Sequence, residues 1–444
     1  MRLRIKLIGT IGASIFSLAT NAQLSQDFSL TQAKEYALDH HARVIKANYD
    51  VDIATLQKKQ AIGLGLPQVS LTGNFSNFLN LPVQVMDASF LNPMANPGET
   101  VVFKAGTDYT TGANLQVNQL IFSGSYIVGI KAAKLFTQFK ETQAEQTKED
   151  VLFNVIQAYE LAAVASENLK YADSMVASAQ TMIDQQQHFL DLKIIVQEDI
   201  DQFKLALINA KNAQTNANVQ YKNAISLLKY SMGYPADDVI YITETTNDLL
   251  AIQNSNSALT NNISQKLMDE SIRLQTLNLQ NKKAESLPTL GGFFQHGYNA
   301  YRNEFNFFAN QPWYPQTAWG VQLNVPIFSG SKSTSIAKVE LLKLESDNEF
   351  LTEALKFQES QGKNKLEAAN SQLQLQLENI KLAQSIYNNA ITKEDLGKIN
   401  SLEVTQKQQQ LLMAHAQYIG SLVNLFQAKL DLDKLYNNII PSQK

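Results

Sequence analysis

Hydrophobic and polar residues alternate with period two in four stretches of the chain and recur in heptads over two far longer ones. In the first stretch Val69, Leu71 and Phe75 share one side with Gly73, while Gln68, Ser70, Thr72, Asn74 and Ser76 take the other. The second sets Ala113, Leu115, Val117 and Ile121 against Asn114, Gln116 and Asn118. The last sets Trp319, Val321, Leu323, Val325 and Ile327 against Gln322 and Asn324. The third is less regular: Leu290, Phe294 and Tyr298 share a side with His296, and Phe293 opposes them. Such alternation predicts strands with one apolar and one amide-rich face. A soluble sandwich, its apolar face laid on a second sheet, would read the same way.

The strands come in two related pairs. "LQVNQLIFSGS" from Leu115 and "VQLNVPIFSGS" from Val321 are identical at seven of eleven positions, at an offset of 206 residues. "LPQVSLTGNF" from Leu66 echoes "LPTLGGFFQHG" from Leu287 at an offset of 221, so the connection within the first pair is 221 − 206 = 15 residues longer. Each half of the chain thus predicts one hairpin, and the first carries the longer loop.

Long helices follow each hairpin. No glycine or proline occurs from Lys131 to Met232, and no proline from Ile327 to Ile440. Val151, Val155, Ala158, Ala162, Ala165, Leu169, Ala172, Val176, Ala179 and Ile183 alternate spacings of four and three, a heptad seam whose alanines permit close approach. Leu366, Ala369, Leu373, Ile380, Ala383, Tyr387 and Ala390 repeat it in the second half, broken by Gln376, and offsets of 204 and 211 both fit the phase. A helix from about Gly129 to Leu192 would run ~95 Å, returning after "KIIVQED" as a ~50 Å helix from Asp199 to about Met232. A helix from Leu30 to Leu64 matches the returning one in length, so the two short helices end to end equal the long one. Asn262 to Glu285, Ser331 to Asp395 and Glu403 to Tyr436 stand in the same relation.

Four strands cannot close a barrel, and an open edge in lipid leaves backbone groups unpaired at several kcal/mol each. Three copies would supply twelve strands and twelve helical columns. Composition decides whether lipid is the setting. Arg2, Arg4 and Lys6 precede an apolar run from Leu7 to Ala19 with small residues to Ala22, the pattern of a secretory signal peptide over residues 1–22. Its removal takes the net charge from −4 to −4 − 3 = −7, which disfavours nucleic acid as a partner. There is no cysteine, hence no disulfide, thiolate site or lipidated cysteine. No later stretch is apolar enough for a spanning helix, so membrane residence would be by strands.

In their order, duplication and spacing these segments resemble the TolC-like outer-membrane efflux proteins, also called outer membrane factors, over nearly the whole mature chain. "SLTQAKEYALDHHARVIKANYDV" is similar to the family's first helix, "LPQ" to its helix-to-strand junction and "LIFSGS" to its strand-to-helix junction. The resemblance implies a mainly α fold with a membrane β-barrel: a trimeric channel-tunnel, four strands per subunit in a 12-stranded barrel, continued by a coiled-coil-like α-helical barrel across the periplasm. Val69, Leu71, Leu115, Val117, Val321 and Leu323 would then face lipid. Phe122 and Phe328 would sit at the inner membrane–water interface, with Gly124 and Gly330 supplying the bend and Ser123 or Ser125, Ser329 or Ser331, capping the long helices.

The resemblance also places a periplasmic aperture at the two helix turns, "VQEDIDQF" and "ITKEDLGKINSLEV". Asp199 and Glu403 fall on the acidic position of each turn, flanked by Glu198 and Asp395. Gly397 matches the glycine of the second turn, where the first has Lys193. Gln202 and Gln406 follow three residues on, and Ile399 stands where an arginine helps close the family's gate. Solvated helix-end charges complementing the dipoles are the plainer reading of the same acids.

Residues 1–22 read as signal peptide, 23–230 as the first repeat, 231–261 as an equatorial or linker segment, 262–436 as the second repeat and 437–444 as a tail. His40, His41, His188, His296 and His415 form no i, i+4 ligand pair, and no phosphate-cradling or nucleophile-elbow motif occurs. The reading is therefore a non-enzymatic duct without cofactor or metal. Its expected partners are two further copies, outer-membrane lipid, a periplasmic adaptor and an inner-membrane transporter of the RND, ABC or MFS type. An exit duct for type I protein secretion and an adhesive or structural outer-membrane protein are the alternatives.

Overall fold

The computed structural model describes residues 26–91, 93–94, 96–251, 259, 262–327 and 331–440. The signal-peptide segment, Phe328, Ser329, Gly330 and the last four residues of the tail lie outside them. The elements in chain order are β1 (Gln26–Phe28), α1 (Leu30–His40), α2 (Ala42–Gly63), β2 (Gln68–Asn77), β3 (Val83–Asp87), β4 (Thr100–Lys104), β5 (Tyr109–Phe122), α3 (Gly124–Asp191) and α4 (Gln197–Met232). There follow β6 (Ile240–Ile242), α5 (Thr246–Ala251), α6 (Ile263–Ala284), β7 (Thr289–Arg302), β8 (Tyr314–Asn324), α7 (Ser331–Asp395) and α8 (Ser401–Leu435).

The four alternating stretches form one antiparallel sheet in the order β2-β5-β7-β8. Its register aligns Val69 with Val117, Leu71 with Leu115, Val117 with Phe294 and Phe294 with Trp319, so the apolar positions of all four strands share a face. Val69, Leu71, Val321 and Leu323 are exposed there, 62 to 74%, because among the described residues no second sheet and no helix covers that face. The soluble-sandwich reading requires such a cover. Strands β2 and β8 lie at the two edges, and among the described residues neither has an outer partner.

Two strand ends differ from the sequence pattern. β8 stops at Asn324, leaving Val325 and Ile327 outside it, because Pro326 lacks the N–H that would extend the ladder. In β5 a bulge between Leu120 and Phe122 brings Phe122 opposite Leu290, on the apolar face, although the alternation sets it on the amide face. The long first loop also holds structure of its own, the β3–β4 hairpin, which no alternation in that segment announces.

Helix α3 is 68 residues long, about 100 Å at 1.5 Å per residue. Its seam residues Val151, Val155, Ala158, Ala162, Ala165, Ala172 and Ala179 are all buried. Toward the strands α3 runs between α2 and α6; toward the far tip it runs between α4 and α8, with α7 beyond α6 and α8. The helix expected over Leu30 to Leu64 is two helices. His41 sits between them in extended conformation, its N–H donating to the Ala37 carbonyl and its Nδ1 accepting from the Arg43 N–H, so it ends one helix and starts the next. Being outside the helices, His41 does not pair face to face with His40, which stacks on Tyr36 instead.

The segment after α4 folds against the middle of α3. Strand β6 pairs in parallel with β1, and the carboxylate of Glu244 accepts from the Leu30 N–H at the start of α1 and from the hydroxyl of fully buried Tyr159 on α3. Thr246 donates to Glu167, two helical turns further along the same face of α3.

Close strand approach makes the sheet sensitive at one glycine. A Cβ on Gly297 would lie 2.7 Å from the backbone carbonyl oxygen of Ala113, whereas one on Gly63 would meet nothing within 4 Å. Gly297→Ala should lower stability by about 1–3 kcal/mol, seen as an earlier denaturation midpoint, while Gly63→Ala should not.

Candidate functional site: the helical tip and the strand wall

At the tip each long helix must reverse. Helix α3 ends with Lys193 in the left-handed region (φ 57°), the Lys193 N–H donating to Leu190 and the Ile194 N–H to Phe189. Helix α7 ends with Gly397 in the same region (φ 66°), the Gly397 N–H donating to Glu394 and the Lys398 N–H to Lys393. Both are Schellman closures, which satisfy the last helical carbonyls. Lys193 and Gly397 are 397 − 193 = 204 residues apart, so the tip chooses the offset of 204 over 211.

The returning helices begin with the same requirement met in two ways. At α8 the side chain of Asn400 accepts from the Glu403 N–H at 3.0 Å. At α4 the corresponding residue is Val196, which has no acceptor, and the carboxylate of Asp199 takes the Val196 N–H at 3.2 Å. The other Asp199 oxygen accepts from the hydroxyl of buried Ser401 at 2.6 Å, across to the second hairpin. A second cross-hairpin bond runs from Gln186, 2% exposed, to Glu394 at 2.6 Å.

The structure therefore gathers Asp199, Glu394 and Asp395 into one cleft, lined also by Gln186, Ile399 and Ser401. Glu198 and Glu403 do not line it; both are exposed near the starts of α4 and α8. Burial, with Asp395 and Asp199 nearby, pushes the Glu394 carboxyl up to about 7. Gln186, Glu394 and Ser401 are positions that the acidic pattern of the two turns does not single out. A signal for Gln186 existed: it continues the heptad seam three residues after Ile183, a polar residue at a core position. Ile399 packs into the apolar cluster behind the tip with Phe203, Tyr387 and Val404.

At the other end of α3 the strand wall is stapled to the helices. Ser123 caps α3, its hydroxyl accepting from the Tyr126 N–H at 3.2 Å. The Tyr126 hydroxyl donates to Ile62 at 2.9 Å and Gln119 donates to Gly65 at 2.7 Å, tying the end of β5 to the end of α2. Gly124 does not supply a bend: its φ is ordinary, and it is the first residue of α3. A Cβ there would lie 2.8 Å from a Leu287 methyl and 3.3 Å from the Ala284 Cβ, so glycine serves the close approach of α6. Phe122 is 44% exposed beside this junction.

Among the described residues no group of three or more His, Asp or Glu is placed to hold a metal ion, and no helix is long and apolar enough to cross a membrane. His415 is buried in the helical layer, stacked on Tyr171 at 3.5 Å between ring centroids, and burial pushes it down to about 4.

Residues 256–438 match the sequence model of the family described as outer membrane efflux protein. No curated protein sequence matches the chain. Solved structures match it in fold along nearly its whole length. CusC, from a study of folding and transmembrane channel formation, has 14% identity and a TM-score of 0.72 over 92% of this chain and 91% of its own. The Campylobacter jejuni CmeC outer membrane channel has 14% identity and a TM-score of 0.69 over 94% and 87%. The Neisseria gonorrhoeae MtrE outer membrane channel, in its open state, has 12% identity and a TM-score of 0.67 over 92% and 88%. By the sequence of residues 256–438, less than half of its length, and by the fold of the whole, this chain is similar to the outer membrane efflux proteins and to solved outer membrane channels.

Proposed function

We propose that three copies of the chain close into a passive exit duct, which a periplasmic adaptor joins to an inner-membrane transporter of the RND, ABC or MFS type. The observation that carries this reading is the four-stranded sheet with both edges unpaired and its apolar face uncovered. Pairing β8 of one copy with β2 of the next satisfies both edges, and three such seams return to the start. The helical layer offers the same kind of seam. Exposed Tyr49, Ile53 and Leu56 follow heptad spacing on α2 at one edge, and exposed Phe350 and Phe357, Leu375 and Leu382 repeat at seven on α7 at the other. The two stripes differ, as a heterologous contact that closes a ring requires.

The decisive experiment is extraction of the protein from outer membranes. A trimer that resists detergent and conducts ions in planar bilayers supports the duct, and a soluble monomer overturns it. Loss of the gene should cause retention of small toxic compounds; loss of one large secreted protein instead would favour the type I secretion duct.

If the apolar strand face meets lipid, arginine at Leu115 or Val321 should lower trimer stability by about 2–4 kcal/mol near the bilayer midplane, while arginine at Gln116 or Gln322 should be tolerated and alter conductance. Heat dissociation of purified trimers reads both, and the reverse pattern would invert inside and outside.

At the tip, threefold symmetry would set Asp199 and Glu403 of each copy around the aperture. Asp199→Asn with Glu403→Gln keeps the capping geometry and removes six charges, so cation selectivity should fall, most at low ionic strength. Unchanged reversal potentials at low salt would leave these acids as ordinary helix-start residues.

Glu394 adds a pH dependence. Its carboxyl is raised from an ordinary 4.5 to about 7 by burial and by Asp395 and Asp199, so the folded tip favours the protonated form. The stabilisation is complete below about 4.5 and is lost as pH rises through about 7. Hydrogen exchange in residues 394–401, corrected for intrinsic rates, should be slower at pH 5 than at pH 8, and Glu394→Gln should erase the difference.

A further inference from the structure

We infer that a groove in the middle of the helical layer, over Leu161 on α3, is a binding site for an uncharged amphiphile passing along the duct. Exposed positions on this part of α3 are Asn154, Gln157 and Leu161, one face of the helix, while Ala158, Tyr159, Ala162 and Ala163 between them are buried. Tyr159 and Glu167 hold the segment after α4, and Leu161 lies about 200° around the helix from Tyr159. The groove thus opens on the side away from that segment. In a closed ring of helices that bulk fits only outside, so the groove faces the lumen.

Its floor is Leu161 and Val164, and its walls are Leu227 of α4 and Val423 of α8. Leu161 and Leu227 are 37% and 43% exposed, an apolar patch bordered by the amides of Asn168, Gln220 and Asn223. Both ends are closed by amide pairs bridging helices. Gln157 donates to Gln427 of α8 at 2.5 Å, and Asn168 donates to Gln220 of α4 at 3.3 Å. Gln157 and Asn168 are eleven residues apart, ~16 Å along the axis, the length of a fused-ring body or a medium alkyl chain.

Three features select the occupant. The rim is amide, which pairs with hydroxyls and carbonyls without demanding charge. The one ionisable residue at the edge of the groove, Glu160, is shifted toward its neutral form by burial, against the lowering effect of Lys429. A second copy would meet the layer at its α4 and α7 edges at this level, whereas the groove lies over α3 between α4 and α8. An apolar body with a neutral hydrogen-bonding head fits all three.

The inference rests on the duct reading only in setting the groove inside the lumen. Full-length trimers in lipid nanodiscs, with empty discs as blank, should bind 1-naphthyl glucoside saturably by equilibrium dialysis, with about one probe per chain. Leu161→Ser with Leu227→Ser should weaken binding by about tenfold or more, and Val423→Trp, which fills the groove, should abolish it. Glucose alone should not bind. Uptake equal to that of empty discs, or equal affinity in both variants, would overturn the site. Binding without ion conduction would keep the site and sink the duct; conduction without binding would do the opposite.

Discussion

The unpaired backbone of a four-stranded sheet is the constraint from which the rest of the architecture follows. Each edge strand of β2-β5-β7-β8 offers a row of N–H and C=O groups, and in hydrocarbon none of them can turn to water. In the proposed duct, closure by neighbouring copies is the remedy, and it requires that β2 and β8 be complementary edges of a repeated unit. Duplication supplies such a unit. It also requires that the apolar face point outward all the way round, and the aligned register of Val69, Val117, Phe294 and Trp319 provides that.

The helices inherit the geometry of the strands. Ser123 starts α3 one residue after β5 ends, and Tyr126 and Gln119 bond back to the end of α2, so β5 hands its direction to α3 without a flexible joint. Where the column is made of two short helices, the join lies beside the long neighbour, and the segment held by Glu244 and Tyr159 braces it there. Alanine on the α3 seam keeps the columns close enough for this to hold over about 100 Å.

The two tip turns show how duplicated structure persists while its chemistry diverges. Both close by the same backbone bonds, yet one uses Gly397 and the other Lys193, which accepts a left-handed conformation costing roughly 1–2 kcal/mol. Both returning helices are capped, one by Asn400 and the other by Asp199 in place of Val196. This second substitution makes Asp199 serve three groups at once: its own helix start, Ser401 of the other hairpin, and the charge balance around Glu394. A single turn residue thereby couples two hairpins.

Periodicity was enough to determine the four strands of the main sheet and their pairing into two hairpins, the lengths of the long helices and the shared face of Val69, Leu71, Leu115 and Val117, though not the short β1, β3, β4 and β6. The reason is that a buried seam or a half-exposed strand leaves its period in the chain itself. The break at His41, the early end of β8 and the true role of Gly124 required the folded chain. Of these, Pro326 was readable in retrospect, whereas His41 caps two helices through bonds that no residue pattern records. The tip divides in the same way: the acidic residues stand in the sequence, but nothing there separates Asp199, Glu394 and Asp395, which share a cleft, from Glu198 and Glu403, which do not. Likewise Gln186 meets Glu394 only because 208 residues of intervening chain return to the same point. Local order follows from spacing along one helix or strand; which side chains share a cleft depends on how separate hairpins pack, and that is decided only in the tertiary structure.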